Sequence, residues 1–302
     1  MEENRKFNNT SVESSKKSLM SRRHFLKLGI FAGAGAVLGY PKIKNEILNI
    51  LDENGLKENI KSLKNFLYSN YNLNAELDIS KIPSIGHSIK SESTSLAEQS
   101  EFLIWICKEI TKYPLDFIKN SGLKSIYCTK ALELDGTIVT SFAYGNIFFI
   151  SIGLYGILDN LYASHSGVTE DFHHELFHVA DRINNVEWAK LNEKGDKVYM
   201  RTWQHNLSWD ELYKELTTSR PEGFADRYGL KNEGEDKATI AMMLMTDPVR
   251  AFSLAETDLV FSKKLEICKK LFKELSDGKM DEVFWKDLSL GNVGKDYWQN
   301  KK

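Results

Sequence analysis

The sequence has few cysteines, and their spacing is not that of a metal or redox motif. Cys107, Cys128 and Cys268 lie far apart and form no Cys-x-x-Cys pair. This excludes a zinc ribbon and a thioredoxin-like motif. An odd count argues against a full disulfide framework and leaves room for one bridge at most. We expect the three side chains to be small, buried and apolar.

The sequence also lacks a strong charge of either sign. Lysine and arginine number 40 against 42 aspartates and glutamates, so the net charge is -2. Without a positive field to attract phosphates, we expect no nucleic-acid partner. A composition of 42% hydrophobic and 27% charged residues is that of a globular chain. It is long enough for one large domain or two smaller lobes.

No hydrophobic run near the N-terminus is long enough to cross a membrane comfortably. Residues 28–40 are apolar, but this run of about 13 residues is shorter than a spanning helix. It follows Ser-Arg-Arg-His-Phe-Leu-Lys at residues 21–27, and a charged region before a short apolar run is typical of an export signal. Paired arginines, Arg22 and Arg23, indicate the twin-arginine pathway, whose Ser-Arg-Arg-x-Phe-Leu-Lys consensus this segment resembles.

We therefore predict that residues 1–40 are a twin-arginine export signal and that the twin-arginine translocase is a partner. The mature protein would lie outside the cytoplasm of a bacterium, in the periplasm or secreted. The small residues Ala32, Ala34 and Ala36 fall early in the apolar run. The leader could therefore stay attached, which would be the protein's one contact with a membrane.

The remaining sequence predicts an α+β fold. Residues 56–70 have helical periodicity, and Ser95 is a candidate N-cap for a second helix. Two strand-like runs, ending at Tyr144 and beginning at Ile147, flank a Gly-Asn pair and predict a β-hairpin. From Thr169 onward the pattern is mainly helical, so helices should cover one side of a small sheet.

One stretch contains the residues of a metal site. Residues 172–181 read Phe-His-His-Glu-Leu-Phe-His-Val-Ala-Asp. On a helix, His174, His178 and Asp181 share one face, and the apolar side chains share the opposite face. Two imidazoles one turn apart can hold one zinc ion. Glu175 lies about 100° round the helix from His174, where it can act as general base without being a ligand.

A catalytic zinc needs a third protein ligand. Residues 219–226, Ser-Arg-Pro-Glu-Gly-Phe-Ala-Asp, predict a helix start that places Glu222 and Asp226 on one face. We predict that Glu222 is this ligand. Asp226 or Asp181 would accept the other ring N–H of a ligating histidine. Alternatively, Glu222 completes a capping box with Ser219, which would leave Asp226 without a role.

His174-Glu175-x-x-His178, followed by Glu222-Gly-Phe-Ala-Asp226, resembles the gluzincin metallopeptidases. The pattern is most similar to catalytic domains of the anthrax lethal factor and Pro-Pro endopeptidase kind. The resemblance implies zinc ligands His174, His178 and Glu222, with Glu175 as base. It implies a zincin-like domain over residues 95–302, in which the hairpin precedes the active helix and the C-terminal half is mainly helical. Residues 41–94 would form a helical N-terminal segment and linker.

Members of this family place a tyrosine about seven residues before the third ligand, where it stabilises the oxyanion. Seven residues before Glu222 this chain has Glu215. We expect Tyr213 to be the donor, with Tyr228 and His205 as other candidates. A packing role stays open for both tyrosines.

These observations predict an exported zinc metallopeptidase with Zn²⁺ as cofactor and a peptide or protein as substrate. In the zincin layout, an edge strand within residues 139–151 would bind the substrate as an extra strand. One alternative is a non-proteolytic zinc amidohydrolase acting on cell-envelope material. Another is an exported zinc-binding protein without turnover, against which Glu175 argues. A third is an aspzincin arrangement, with Asp226 as third ligand.

Overall fold

The computed structural model describes residues 53–152, 166–199, 220–294 and 296–300. Its architecture is α+β and mostly helical, with two small sheets. In chain order the elements are α1 (Glu53–Tyr71), β1 (Asn74–Glu76), β2 (Ile89–Ser91), α2 (Leu96–Ile110), α3 (Leu115–Ser121), β3 (Ser125–Thr129), β4 (Leu132–Leu134), β5 (Thr137–Ile138), β6 (Ser141–Tyr144), β7 (Ile147–Ser151), α4 (Ser166–Ala180), α5 (Asn185–Ala189), α6 (Glu233–Thr246), α7 (Pro248–Thr257), α8 (Leu259–Leu275), α9 (Glu282–Ser289) and α10 (Tyr297–Asn300). Short 3₁₀ helices lie at Ile79–Lys81, Gly195–Val198 and Tyr228–Leu230.

Two helix starts follow from local sequence, and the one at Ser95 was predicted. Ser95 caps α2 through a capping box, in which its hydroxyl accepts from the Glu98 N–H and the Glu98 carboxylate accepts from the Ser95 N–H. These bonds satisfy two backbone donors that a helix start otherwise leaves unpaired. Pro114 precedes α3, where its fixed φ suits the entry to a helix.

The main sheet has the strand order β1-β3-β7-β6. The first three strands are parallel, and β6 runs antiparallel to β7. β6 and β7 form the predicted hairpin, and Gly145 occupies its turn at a φ of 61°. Within the described residues β6 is an edge of this sheet. The second sheet, β2-β4-β5, is antiparallel.

Successive side chains of β6 point to opposite faces of the main sheet. Ser141 contacts α4, and Ala143 packs in the main core. On the other face, Phe142 stacks on Phe149 with ring centroids 4.5 Å apart, and Tyr144 is exposed. The face of β6 towards α4, the helix with the His174-Glu175-x-x-His178 (HExxH) motif, is therefore lined by small side chains.

Helix α4 is held by aromatic contacts of its fully buried Phe172. The Phe172 ring packs edge-on against Trp105 of α2 and Phe148 of β7, with centroids 5.7 Å away in both cases. Burying a side chain of this size stabilises the fold by about 1.5–3 kcal/mol. Leu176 and Phe177 are also buried in this core, which leaves the remaining face of α4 for polar residues.

The described part of residues 41–94 shares this core. Helix α1 contributes Leu63 and Leu67 to it, and β1 pairs in register with β3. The three cysteines are free and buried, as expected. The predicted export signal, with Arg22 and Arg23, lies outside the described residues. In the described parts of the chain, no helix combines the length and apolar character needed to cross a membrane.

From residue 220, where the description of the chain resumes, the helix predicted to start within residues 219–226 does not form. Residues 221–227 form turns and bends, and the next α-helix, α6, begins at Glu233. Gly223 has a φ of 81°, which a helix does not accommodate. Its N–H donates to Asp258 and its carbonyl accepts from Lys264, so contacts from distant residues hold the turn. A Cβ at this position would come within 2.6 Å of Val260.

Candidate metal centre

Two histidines of α4 turn their Nε2 atoms towards one point. His174 and His178 are one helical turn apart, and their Nε2 atoms are 3.0 Å from each other. At most one of them can donate to the other, because each neutral imidazole carries a single N–H. Two ring nitrogens facing each other in this way favour a cation between them.

Glu235 reaches the same point from α6. Its Oε2 atom is 2.9 Å from His174 Nε2 and 3.2 Å from His178 Nε2. The Asn232 side chain caps α6 by accepting from the Glu235 N–H, which places Glu235 in the first turn. Its other oxygen, Oε1, accepts from Lys231 Nζ at 2.8 Å. Only Oε2 therefore faces the histidines.

These three ligand atoms fit a zinc ion. They are 2.9, 3.0 and 3.2 Å apart. Zinc bonds of about 2.0–2.1 Å in a tetrahedral arrangement would place ligand atoms about 3.3 Å apart. Two imidazoles and one carboxylate are also the donor set of many catalytic zinc sites. His174, His178 and Glu235 thus form a group that could hold a metal ion.

The charge of Glu235 suits the same role. Burial opposes ionisation of its carboxyl, but the hydrogen bonds from His174 and His178 outweigh burial and hold its pKa well below the usual range. Burial likewise disfavours a charged His174, whereas the bond to Glu235 raises the pKa of that histidine above its ordinary value. The centre therefore contains an ionised carboxylate that attracts a positive charge to the two rings.

The structure does not bring Glu222 to this group. Glu222 is exposed, in the turn that precedes Phe224. Glu222 and Asp226 would share one face only on a helix, and residues 221–227 form turns and bends. Glu235 stands where the sequence analysis expected Glu222, because α6 packs against α4 and presents the carboxylate of its first turn.

Tyr228 lies beside the two histidines. Its ring centroid is 5.9 Å from that of His174, and its hydroxyl is 3.3 Å from Lys231 Nζ. Burial, reinforced by the charge of Glu235, raises the pKa of Tyr228 well above its ordinary value, so the phenol keeps its proton. Tyr228 precedes Glu235 by seven residues, the interval that the sequence analysis counted back from Glu222 instead. Tyr213 and His205 lie outside the described residues.

Glu175 is buried next to the histidines. Its Oε1 atom accepts a hydrogen bond of 2.7 Å from the Ser141 hydroxyl on β6. Its Oε2 atom is also buried and has no hydrogen-bond partner among the described residues. Burial raises the pKa of Glu175, although the neighbouring His174 and His178 act in the opposite direction. A carboxyl with a raised pKa is suited to accept and release a proton near neutral pH.

No family model and no curated protein matches this chain. Among solved structures, one from Bacteroides caccae ATCC 43185, described as a "putative zinc-binding metallo-peptidase", aligns with a TM-score of 0.48 and 16% identity. The alignment covers 82% of this chain and 96% of that chain. This likeness is distant, so the assignment of the site rests on the residues of this chain.

The two aspartates predicted to orient the histidines have different surroundings. Asp181 forms an ion pair with Lys237 of α6, and its Oδ1 accepts from the Ile183 N–H. It therefore ties the C-terminal end of α4 to α6. Asp226 is close enough to His174 for their charges to interact, and its Oδ1 accepts from the Gly229 N–H.

A buried ion pair holds α6 in place behind the metal centre. Asp236, which follows Glu235, accepts from Lys264 Nζ at 2.7 Å, and neither side chain is exposed. The same oxygen accepts from Trp188 Nε1 and from the Tyr199 hydroxyl, each at 2.8 Å. Removing one partner of a buried pair typically costs about 3–5 kcal/mol. This network therefore restricts where the first turn of α6 can lie.

Proposed function

We propose that this protein is a zinc-dependent metallopeptidase whose metal ligands are His174, His178 and Glu235. The observation that carries the proposal is the convergence of two imidazole nitrogens and one carboxylate oxygen on a single point. A buried carboxylate, Glu175, is adjacent to that point. A merely structural site would close the fourth zinc position with another protein ligand, and the group in the described residues supplies three.

Each remaining group has a role in peptide hydrolysis. Bound zinc supplies a Lewis acid that polarises a carbonyl and lowers the pKa of water. Glu175 accepts the proton of the attacking water and passes it to the leaving amine. Tyr228 donates its hydroxyl proton in a hydrogen bond to the oxyanion. Strand β6 offers an edge where an extended peptide can pair in the zincin manner.

The proposal is tested by hydrolysis of a peptide library. The purified protein should cleave some members, lose this activity in a chelator, and regain it when zinc is added. Cell-envelope fragments are assayed in parallel. Cleavage of those fragments alone would indicate the amidohydrolase instead. A zinc-loaded protein that hydrolyses neither class would be a binding protein, and the proposal would be wrong.

We also propose that residues 1–40 direct export through the twin-arginine system. Support comes from the Ser-Arg-Arg-His-Phe-Leu-Lys segment before a short apolar run. Changing Arg22 and Arg23 together to lysine keeps the charge and removes the pair that the translocase recognises. The variant should stay in the cytoplasm, folded and soluble, as measured by cell fractionation. Undiminished export of this variant would contradict the assignment.

A further inference from the structure

We propose that Ser141 is a positioning residue that orients Glu175 and thereby links the edge strand β6 to the general base. The inference rests on the proposed function, because it assigns to Ser141 a part in the same reaction. It concerns a strand residue more than thirty positions before the HExxH motif, and no sequence pattern connects the two.

A hydrogen bond between side chains links β6 to α4, which packs against it. The Ser141 hydroxyl lies 2.7 Å from Glu175 Oε1. Ser141 is the first residue of β6 and pairs with Ile150 of β7, so the ladder of the main sheet fixes its backbone. Glu175 is fixed in turn by α4. The bond therefore joins two rigid elements.

This bond gives the two carboxylate oxygens of Glu175 different surroundings. Oε1 is occupied by Ser141, whereas Oε2 is buried without a partner in the described residues. A buried carboxylate oxygen without a hydrogen bond destabilises the folded state, because it has lost its water partners without replacement. Such a cost is tolerated where the atom is needed for chemistry. We assign the proton-accepting role to Oε2 and the anchoring role to Oε1.

The same strand is the one along which a peptide substrate would pair. The side of β6 that faces α4 has Ser141 and Ala143, and its bulky aromatic side chains lie on the opposite face. Ser141 therefore places the buried Glu175 carboxylate against this face of β6. The Ser141 hydroxyl therefore holds the base at a fixed distance from the strand along which a substrate would pair.

The test compares Ser141→Ala with Ser141→Thr and with Ser151→Ala. Without the hydroxyl, Glu175 can rotate away, so kcat should fall about ten- to a hundredfold while KM and zinc content stay near wild type. Threonine keeps a hydroxyl and should restore most of kcat. Ser151 donates to the Lys130 carbonyl in the same sheet, so Ser151→Ala removes a serine hydroxyl bond that does not involve Glu175 and should leave kcat unchanged.

A second readout does not depend on activity. In the zinc-free protein, Ser141→Ala should lower the thermal midpoint by about 2–4 °C, and by clearly less when Glu175 is already alanine. Equal shifts in both backgrounds would show that the two side chains do not interact, and would overturn the inference. So would full kcat in Ser141→Ala of an active enzyme, with the proposed function intact. A wild type that hydrolyses nothing would refute the proposed function itself.

Discussion

Glu175→Gln is expected to lower kcat by roughly 10² to 10⁴, the usual contribution of a positioned general base. The substitution keeps the shape of the side chain, and the amide oxygen can still accept from Ser141. It removes only the ability to take a proton. Zinc content and thermal midpoint should therefore stay near the wild-type values, and all three are measured on one preparation.

His174→Ala is the control for this variant. It removes one of the three converging atoms, so metal and activity should be lost together. Tyr228→Phe should give an intermediate result, a loss in kcat of about 10² with zinc retained, because it removes one oxyanion donor. Full peptidase activity in the Glu175→Gln variant would show that Glu175 is not the general base.

Glu235→Ala is expected to lower the affinity for zinc by more than the roughly 10- to 100-fold that loss of an outer-shell partner costs. In the wild type, Glu235 Oε2 lies 2.9 Å from His174 Nε2 and 3.2 Å from His178 Nε2. The alanine variant therefore loses both a metal ligand and the negative charge that balances the cation. The measurement is a competition titration with a chromophoric chelator. Glu235→Gln keeps the volume of the side chain and controls for disturbance of α6.

Glu222→Ala is the matched comparison, since it removes the other glutamate that the sequence analysis proposed. Glu222 is exposed and outside the group, so this variant should bind zinc as the wild type does. If instead Glu235→Ala bound zinc fully and Glu222→Ala lost it, Glu222 would be the third ligand.

Sequence alone was sufficient where neighbouring residues determine the structure. The hairpin at Gly145, the capping box at Ser95 and the helix with His174 and His178 depend on turn chemistry, caps and periodicity. These act over a few residues, and a helix places i and i+4 on one face whatever surrounds it. The two histidines, and a glutamate beside them, could therefore be assigned together.

Only the tertiary structure decides which residue supplies the third ligand of the metal centre. Glu222 and Glu235 both follow the HExxH motif, and periodicity cannot say which of them reaches the histidines. Gly223 has a positive φ, donates its N–H to Asp258 and accepts from Lys264, and these features hold the Glu222 segment as a turn. The Asp236–Lys264 pair helps to set α6 beside α4. Ser141 meets Glu175 only because β6 packs on α4. Such contacts join residues far apart in sequence, where local rules give no information about distance.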